Sequence, residues 1–126
     1  MPGISEQCLE TIKYGGILAM PETDQCFEMT TEKRWKGIWR KAFEVSRFCP
    51  APASACSYET DGDRIWLSGK APVYVGNDDG LYAIEFVGKQ TVHKGKYGHM
   101  GAFDHEIIAD KVISLRLMSA DANSRP

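Results

Sequence analysis

The stretch "RWKGIWRKAFEVSRF", residues 34–48, decides between a helical and a β fold for this chain. As a strand, its alternation brings Trp35, Trp39 and Phe43 to one face and most of its charged side chains to the other. As a helix, the same aromatic side chains also share one side, so both periodicities fit. We favour a long bent strand with Gly37 as a bulge, because aromatic residues are frequent in strands and a mid-helix glycine costs about 1 kcal/mol.

The sequence that follows this stretch reads as short strands separated by turns. Two short apolar runs flank the pair Asp61 and Gly62, and this arrangement is a hairpin signal. Residues 72–76 form another apolar run, and a turn is expected at 77–80. Up to three strands are therefore predicted between the long strand and the C-terminal part of the chain.

The clearest strand patterns lie in the last third of the chain. Residues 81–88 alternate strictly, and the alternation predicts three apolar side chains on one face: Tyr82, Ile84 and Phe86. Residues 106–118 are rich in Ile, Val and Leu and predict a final long strand. No strand–helix–strand alternation and no internal repeat is visible.

These patterns together predict an all-β protein of about six strands. The expected architecture is a small antiparallel barrel of OB-like shape, or alternatively a sandwich. The length of 126 residues fits a single domain, 1–126, with its β core at 34–118. A composition of 43% apolar and 25% charged residues indicates a soluble globular domain rather than a disordered one.

The N-terminal part, residues 1–30, carries weaker signals. Ser5 can cap a short helix that runs to about Tyr14. The following segment, 19–26, reads as a loop. At the other end of the chain, residues 119–126 are expected to form a flexible tail.

Charge and hydropathy exclude several classes of protein. The net charge of −2 provides no global field that would recruit nucleic acid or an anionic membrane. No apolar run approaches the roughly 18 residues of a membrane span. The chain begins without a basic region followed by an apolar stretch, so no signal peptide is expected. The default location is cytoplasmic, and an envelope location follows if an export signal has been removed.

The four cysteines, at positions 8, 26, 49 and 56, contain no CxxC pair, which argues against a zinc ribbon. A Cys49–Cys56 disulfide would contribute roughly 2–3 kcal/mol by loop closure. In a reducing cytosol, small and partly buried free thiols are expected instead. The sequence does not decide whether Cys49 and Cys56 form a disulfide.

All three histidines lie in the glycine-rich stretch "VHKGKYGHMGAFDHE", at positions 93, 99 and 105. In a strand, a spacing of six residues separates neighbouring side chains by about 20 Å, and in a helix it rotates them by about 240°. Only an irregular loop would bring His93, His99 and His105 to one metal. The alternative, which we favour, is a glycine-shaped connection in which His105 begins the last strand.

Residues 33–47 hold six basic residues and one acidic residue, which gives this segment a charge of +5. Cations interleaved with aromatic side chains are typical of single-stranded nucleic-acid binding. If Trp35 and Trp39 face the core, however, neither can stack on a base. Nucleic-acid binding is therefore a minor alternative, and the charged face is expected to be solvated or paired with acidic residues.

No motif for a serine hydrolase, a zinc protease or a phosphate-binding loop is present, and no cofactor is expected. We therefore expect a non-enzymatic binding or interaction module of unknown ligand, with a metal protein or enzyme using the histidine loop as the alternative. The partner can be a protein, a small ligand or a second copy of the chain. The candidate contact residues are Trp35, Trp39, Arg40, Trp66, Tyr74, Tyr82 and Tyr97.

Part of the chain resembles other proteins. The residues that carry the resemblance are "GIWRKAFEVSRFCP" at 37–50, and "YAIEFVGKQT" with "YGHMGAFDHEIIADKVISLR" at 82–116. They resemble small uncharacterised bacterial proteins that share a W…FExSxFxP run and a later YGHxG…HE segment. Some of those proteins look like secreted lipoproteins. The resemblance implies no known activity, and it implies that the 97–101 turn serves the fold.

Overall fold

The structure, a computed structural model, describes residues 3–16, 19–42, 44–69 and 79–120. These ranges hold two α-helices and five strands: α1 (Glu6–Gly15), α2 (Thr23–Cys26), β1 (Lys33–Ala42), β2 (Val45–Pro50), β3 (Ile65–Gly69), β4 (Gly80–Gln90) and β5 (His105–Ala120). The strands close into a barrel in the order β1-β2-β3-β5-β4. The predicted small OB-like barrel is confirmed, although the β3–β5 pair is parallel rather than antiparallel.

The strand interpretation of residues 34–48 is correct, but the single long strand is wrong. The segment forms β1 and β2, which pair as an antiparallel hairpin, with Glu44 at a φ of 57° in the turn. The inward face changes phase across this turn, from odd-numbered Trp39 in β1 to even-numbered Phe48 in β2. Phe43 lies outside the described residues.

Gly37 is not a bulge. It pairs in register with both neighbouring strands of β1. A Cβ atom at this position would lie 2.3 Å from the carbonyl oxygen of Cys49. Glycine is therefore needed for the close approach of the β1 and β2 backbones.

The hairpin predicted around Asp61 and Gly62 is also wrong. Only its second half is a strand, β3, and residues 51–64 form an irregular segment that covers the outer face of β2. The Cys49–Cys56 disulfide holds this segment against β2. The strand predicted at 72–76 lies outside the described residues, as does most of the turn at 77–80.

The barrel interior holds one continuous apolar cluster. The alternation predicted for β4 is confirmed, because Tyr82, Ile84 and Phe86 all lie in this interior. The other buried members are Trp39, Phe48, Ile65, Leu67, Ile107 and Ala109. The interior polar groups are satisfied: the Trp39 indole donates a 2.8 Å hydrogen bond to Ser46, whose hydroxyl donates to the Leu67 carbonyl at 2.6 Å.

The N-terminal segment, residues 3–29 as far as they are described, forms a second layer outside the barrel. The predicted helix is confirmed as α1, with Ser5 as its cap. The loop predicted at 19–26 instead contains the single turn α2. A second buried cluster joins this segment to the β4–β5 connection: Cys8, Cys26, Phe27, Tyr97 and Phe103.

The expected free thiols are absent from the structure. Cys8 pairs with Cys26, and Cys49 pairs with Cys56, so none of the four cysteines is free. Each disulfide fastens a segment that lacks long strands of its own. Neither helix in the described part of the chain has the length and apolarity needed to cross a membrane.

Candidate functional site

A cleft of about 280 Å³ lies between the N-terminal segment and the connection from β4 to β5. Its walls are mostly apolar and aromatic, one carboxyl group lies at its floor, and one basic residue also lines it. The residues around it are Met20, Thr23, Phe27, Lys96, Tyr97, Gly98, Gly101 and Glu106. We call this space the Glu106 cleft.

The alternation of β5 places Glu106 on the outer face of the barrel. Its neighbours His105 and Ile107 point the other way, so His105 and Glu106 do not act together, as the strand pattern predicts. The Glu106 side chain accepts a 2.8 Å hydrogen bond from the Thr23 hydroxyl and a 2.6 Å hydrogen bond from the Ser68 hydroxyl. It thus connects α2, β3 and β5.

The surroundings of Glu106 favour its neutral form. Burial raises its pKa, the hydrogen bonds from Ser68 and Thr23 lower it, and the nearby carboxylates of Asp24 and Glu22 raise it further. Glu106 is 9% exposed, and within the described ranges no basic side chain forms an ion pair with it. Its negative charge has no counterion in this structure.

The aromatic wall of the cleft is held rigidly. The Phe27 and Tyr97 rings pack edge to face with centroids 5.1 Å apart. The Tyr97 hydroxyl donates a 2.9 Å hydrogen bond to the carbonyl of His93. Burial raises the pKa of Tyr97. Among the predicted contact residues that the structure describes, this tyrosine alone lines the Glu106 cleft.

The turn at 97–101 forms the other wall and has an unusual backbone. Gly98, Met100 and Gly101 all have positive φ angles, of 69°, 57° and 65°. Gly98 packs directly on Trp66, because a Cβ atom there would lie 2.7 Å from the indole. Met100 is 87% exposed at the tip of the turn.

The structure does not bring the three histidines together. His93 lies 3.2 Å from Glu28, and His99 lies 3.0 Å from Glu44. His105 is buried, with its Nδ1 atom 3.1 Å from both oxygens of Thr91. In the described part of the chain, no group of three His, Cys, Asp or Glu side chains could hold a metal ion. The histidine stretch is the glycine-shaped connection that we favoured.

The Thr91 hydroxyl, the His105 ring and Asp63 lie in a row that resembles a hydrolase triad, but its geometry is unsuitable for catalysis. The distance from His105 Nε2 to Asp63 is 4.0 Å. Thr91 is 1% exposed, and its hydroxyl accepts a 3.1 Å hydrogen bond from the Glu106 amide. A substrate therefore cannot reach this hydroxyl.

Most of the other predicted contact residues have structural roles. Trp39 and Tyr82 lie in the barrel interior, where their rings are 5.4 Å apart. Trp66 packs edge to face on Phe103 at 5.0 Å. Tyr74 lies outside the described residues.

The basic segment 33–47 is largely engaged by the fold itself. The Arg40 side chain donates a 2.8 Å hydrogen bond to the Cys56 carbonyl. Lys33 lies 4.1 Å above the centre of the Trp35 ring. The Trp35 indole donates a 3.0 Å hydrogen bond to the Gly88 carbonyl, so its edge is fixed to β4.

The sequence patterns did not identify the hydroxyl partners of Glu106. Thr23 is 83 residues from Glu106 in the chain, and Ser68 is 38 residues away. The usable signal was a carboxylate directly before the apolar residues Ile107, Ile108 and Ala109, at an outward position near the start of β5. No protein-family model, no curated protein and no solved structure matches this chain.

Proposed function

We propose that this protein is a non-enzymatic binding module whose Glu106 cleft takes the basic amine of a small ligand or of a partner side chain. The observation that supports this is a buried carboxyl group without a counterion at the floor of an open apolar cleft. An isolated buried charge is unfavourable, and an opposite charge that hydrogen-bonds to it offsets that cost.

The chemistry of the cleft selects for this kind of ligand. Glu22 and Asp24 add negative charge near Glu106, which favours a cation over an anion, although Lys89 lies 3.7 Å from Asp24 and Lys96 lines the cleft. Phe27 and Tyr97 offer apolar surface for the carbon skeleton of the ligand. A volume of about 280 Å³ accommodates one small molecule or one long side chain.

We also propose that the module works in an oxidising compartment. Disulfides persist in secreted and envelope proteins and are reduced in the cytosol of most organisms. Two disulfides in a chain of 126 residues fit the first setting better than the second. The resemblance to bacterial proteins that include secreted lipoproteins supports the same location.

The test is a binding titration followed by NMR, with three probes. These are 2-phenylethylamine, its uncharged isostere 2-phenylethanol, and Nα-acetyllysine methylamide, which represents a partner's lysine. We expect saturable binding of at least one amine and weaker binding of the alcohol. Comparison of the affinities for the two amines identifies whether the natural ligand is a free amine or the lysine side chain of a partner.

The variant Glu106→Gln keeps the shape of the side chain and removes its charge. We expect it to bind the amine at least about tenfold more weakly, which is the usual contribution of a charged hydrogen bond. Glu59→Gln is the matched control, because Glu59 is exposed and lies on the segment 51–64, away from the Glu106 cleft. Equal affinity of Glu106→Gln and the wild type, or equal binding of amine and alcohol, would refute the proposal.

A further inference from the structure

A second cavity lies on the other side of the β4–β5 connection, under the segment 51–64. Its volume is about 240 Å³. The residues around it include Arg47, Cys49, Thr60, Asp61, Gly62 and Asp63. We call it the Arg47 cavity.

Arg47 lies on the outer face of β2, because its neighbours Ser46 and Phe48 point into the barrel. It is 1% exposed. Its Nη1 atom donates hydrogen bonds to the carbonyls of Ser57 at 2.6 Å and Tyr58 at 3.2 Å. One corner of the guanidinium therefore fixes the covering segment to β2.

The Nε atom of Arg47 is buried and has no hydrogen-bond partner in the described residues. None of the described carboxylates lies within ion-pair distance of this guanidinium. Asp63, on the cavity wall, is instead 2.9 Å from Lys94. A buried arginine with an unsatisfied donor is costly to the fold, and an anion that accepts from this donor removes the cost.

We propose that the Arg47 cavity is a binding site for a small carboxylate, held by the unused edge of the Arg47 guanidinium. The Nε–Nη2 edge of an arginine matches the two oxygens of a carboxylate. Burial lowers the pKa of Arg47 and the nearby Arg64 lowers it further, while Asp104 and Asp61 raise it. The second cation, Arg64, also favours an anion. The proposal is independent of the Glu106 cleft.

A carboxylate fits this cavity better than a phosphate for reasons of charge. Asp61 and Asp63 line the same space and repel anions. Because these two negative charges offset the positive charges of Arg47 and Arg64, the cavity offers no net positive charge that would compensate the larger desolvation cost of a dianion, and a singly charged group is preferred. The cavity also has an apolar side at Pro50, Ala53 and Ile65, which suits a short carbon chain.

The experiment follows the Nε–H signal of Arg47 by NMR during titration with sodium acetate, at constant ionic strength maintained with sodium chloride. We expect a saturable shift with acetate and none with acetamide. N-acetylglycine is titrated in parallel, and stronger binding of this compound would support the site and identify a peptide C-terminus as the source. Absence of a saturable shift up to on the order of 100 mM acetate, where even millimolar affinity would be evident, would overturn the proposal. So would tighter binding of phosphate.

Three variants at other positions keep the test decisive if Arg47 variants fail to fold. Asp61→Asn removes a repulsive charge from the cavity wall and should bind acetate several-fold more tightly. Glu59→Gln removes the same charge from an exposed position of the same segment and should have little effect. Ala53→Leu should fill the cavity and abolish the shift. Identical acetate affinity in Asp61→Asn and Glu59→Gln would contradict the site.

Discussion

Single glycines determine the shape of the loop that carries the histidines. Gly98 and Gly101 both have a left-handed backbone, with φ angles of 69° and 65°, but their surroundings differ. A Cβ atom at Gly98 would collide with Trp66 at 2.7 Å, whereas one at Gly101 would lie 3.3 Å from the Cβ atom of Lys96, a much milder contact. Comparison of substitutions at these two positions therefore distinguishes the cost of backbone strain from the cost of a steric contact.

We predict that Gly98→Ala destabilises the protein more than Gly101→Ala. Both variants place an alanine at a positive φ, which costs roughly 1–3 kcal/mol. Only Gly98→Ala also pushes against the Trp66 indole, so its loss of unfolding free energy should be larger. Urea denaturation of the two variants measures the difference. Equal losses of unfolding free energy in the two variants would show that the Trp66 side chain moves aside at little cost.

At the scale of elements, the sequence predicts those features of helices and strands that depend only on residues close together in the chain. The alternation of β4 and the Ser5 cap of α1 are local, and both are correct. The turn between β1 and β2 was missed because aromatic and charged residues continue through it without Gly, Pro or Asn. The Glu106 cleft was missed because its walls come from segments that only the folded barrel brings together.

The outer segments depend on their disulfides more than on strand pairing. We predict that the double variant Cys8→Ala/Cys26→Ala loses roughly 3 kcal/mol of unfolding free energy, because the disulfide restricts the unfolded chain. The Cys49–Cys56 disulfide closes a shorter loop, so the double variant Cys49→Ala/Cys56→Ala should lose roughly 2–3 kcal/mol of unfolding free energy. Chemical denaturation of both variants, with the oxidised wild type as the control, provides the measurement. A loss near zero in either variant would mean that packing alone holds that segment.

The amine titration distinguishes the two outer segments further. The Cys8→Ala/Cys26→Ala variant should bind amines more weakly, because Phe27 next to Cys26 forms a wall of the Glu106 cleft. The Cys49→Ala/Cys56→Ala variant should retain amine binding. If only the Cys49→Ala/Cys56→Ala variant bound amines more weakly, the amine would bind outside the Glu106 cleft.

At the scale of the whole molecule, the barrel supports two unlike buried charges on its outer faces. Glu106 lies beneath the N-terminal segment, and Arg47 lies beneath the segment 51–64. Both are outward positions of strands whose inward residues form the apolar core. Each of these two side chains is thus buried by a covering segment and not by the barrel interior.

The stability of the whole protein should depend on pH through Glu106. The pKa of Glu106 is raised above 4.5 in the folded state, mainly by burial, so the folded protein binds this proton more tightly than the unfolded chain. Its stabilising contribution is fully present below pH 4.5, the unfolded value, and is lost as the pH rises through the folded pKa. We predict that Glu106→Gln removes this loss.

The measurement is urea denaturation of the wild type and Glu106→Gln across this range. The stability of the wild type minus that of the variant should fall as the pH rises from 4.5 to neutrality. Glu59→Gln, at an exposed position on the segment 51–64, is the control and should show little change. A difference that does not vary with pH would contradict the prediction.

The position of β5 in the barrel has a consequence for the synthesis of the chain. This strand, the last in chain order among the described residues, pairs with both β3 and β4, and it provides Glu106 for the N-terminal segment. Until it has been synthesised, β3 and β4 cannot be joined and the N-terminal segment lacks its hydrogen bond from Thr23 to Glu106. The barrel therefore closes only after β5 has left the ribosome, and chains truncated before residue 105 would expose the unpaired edges of β3 and β4 to chaperones and proteases.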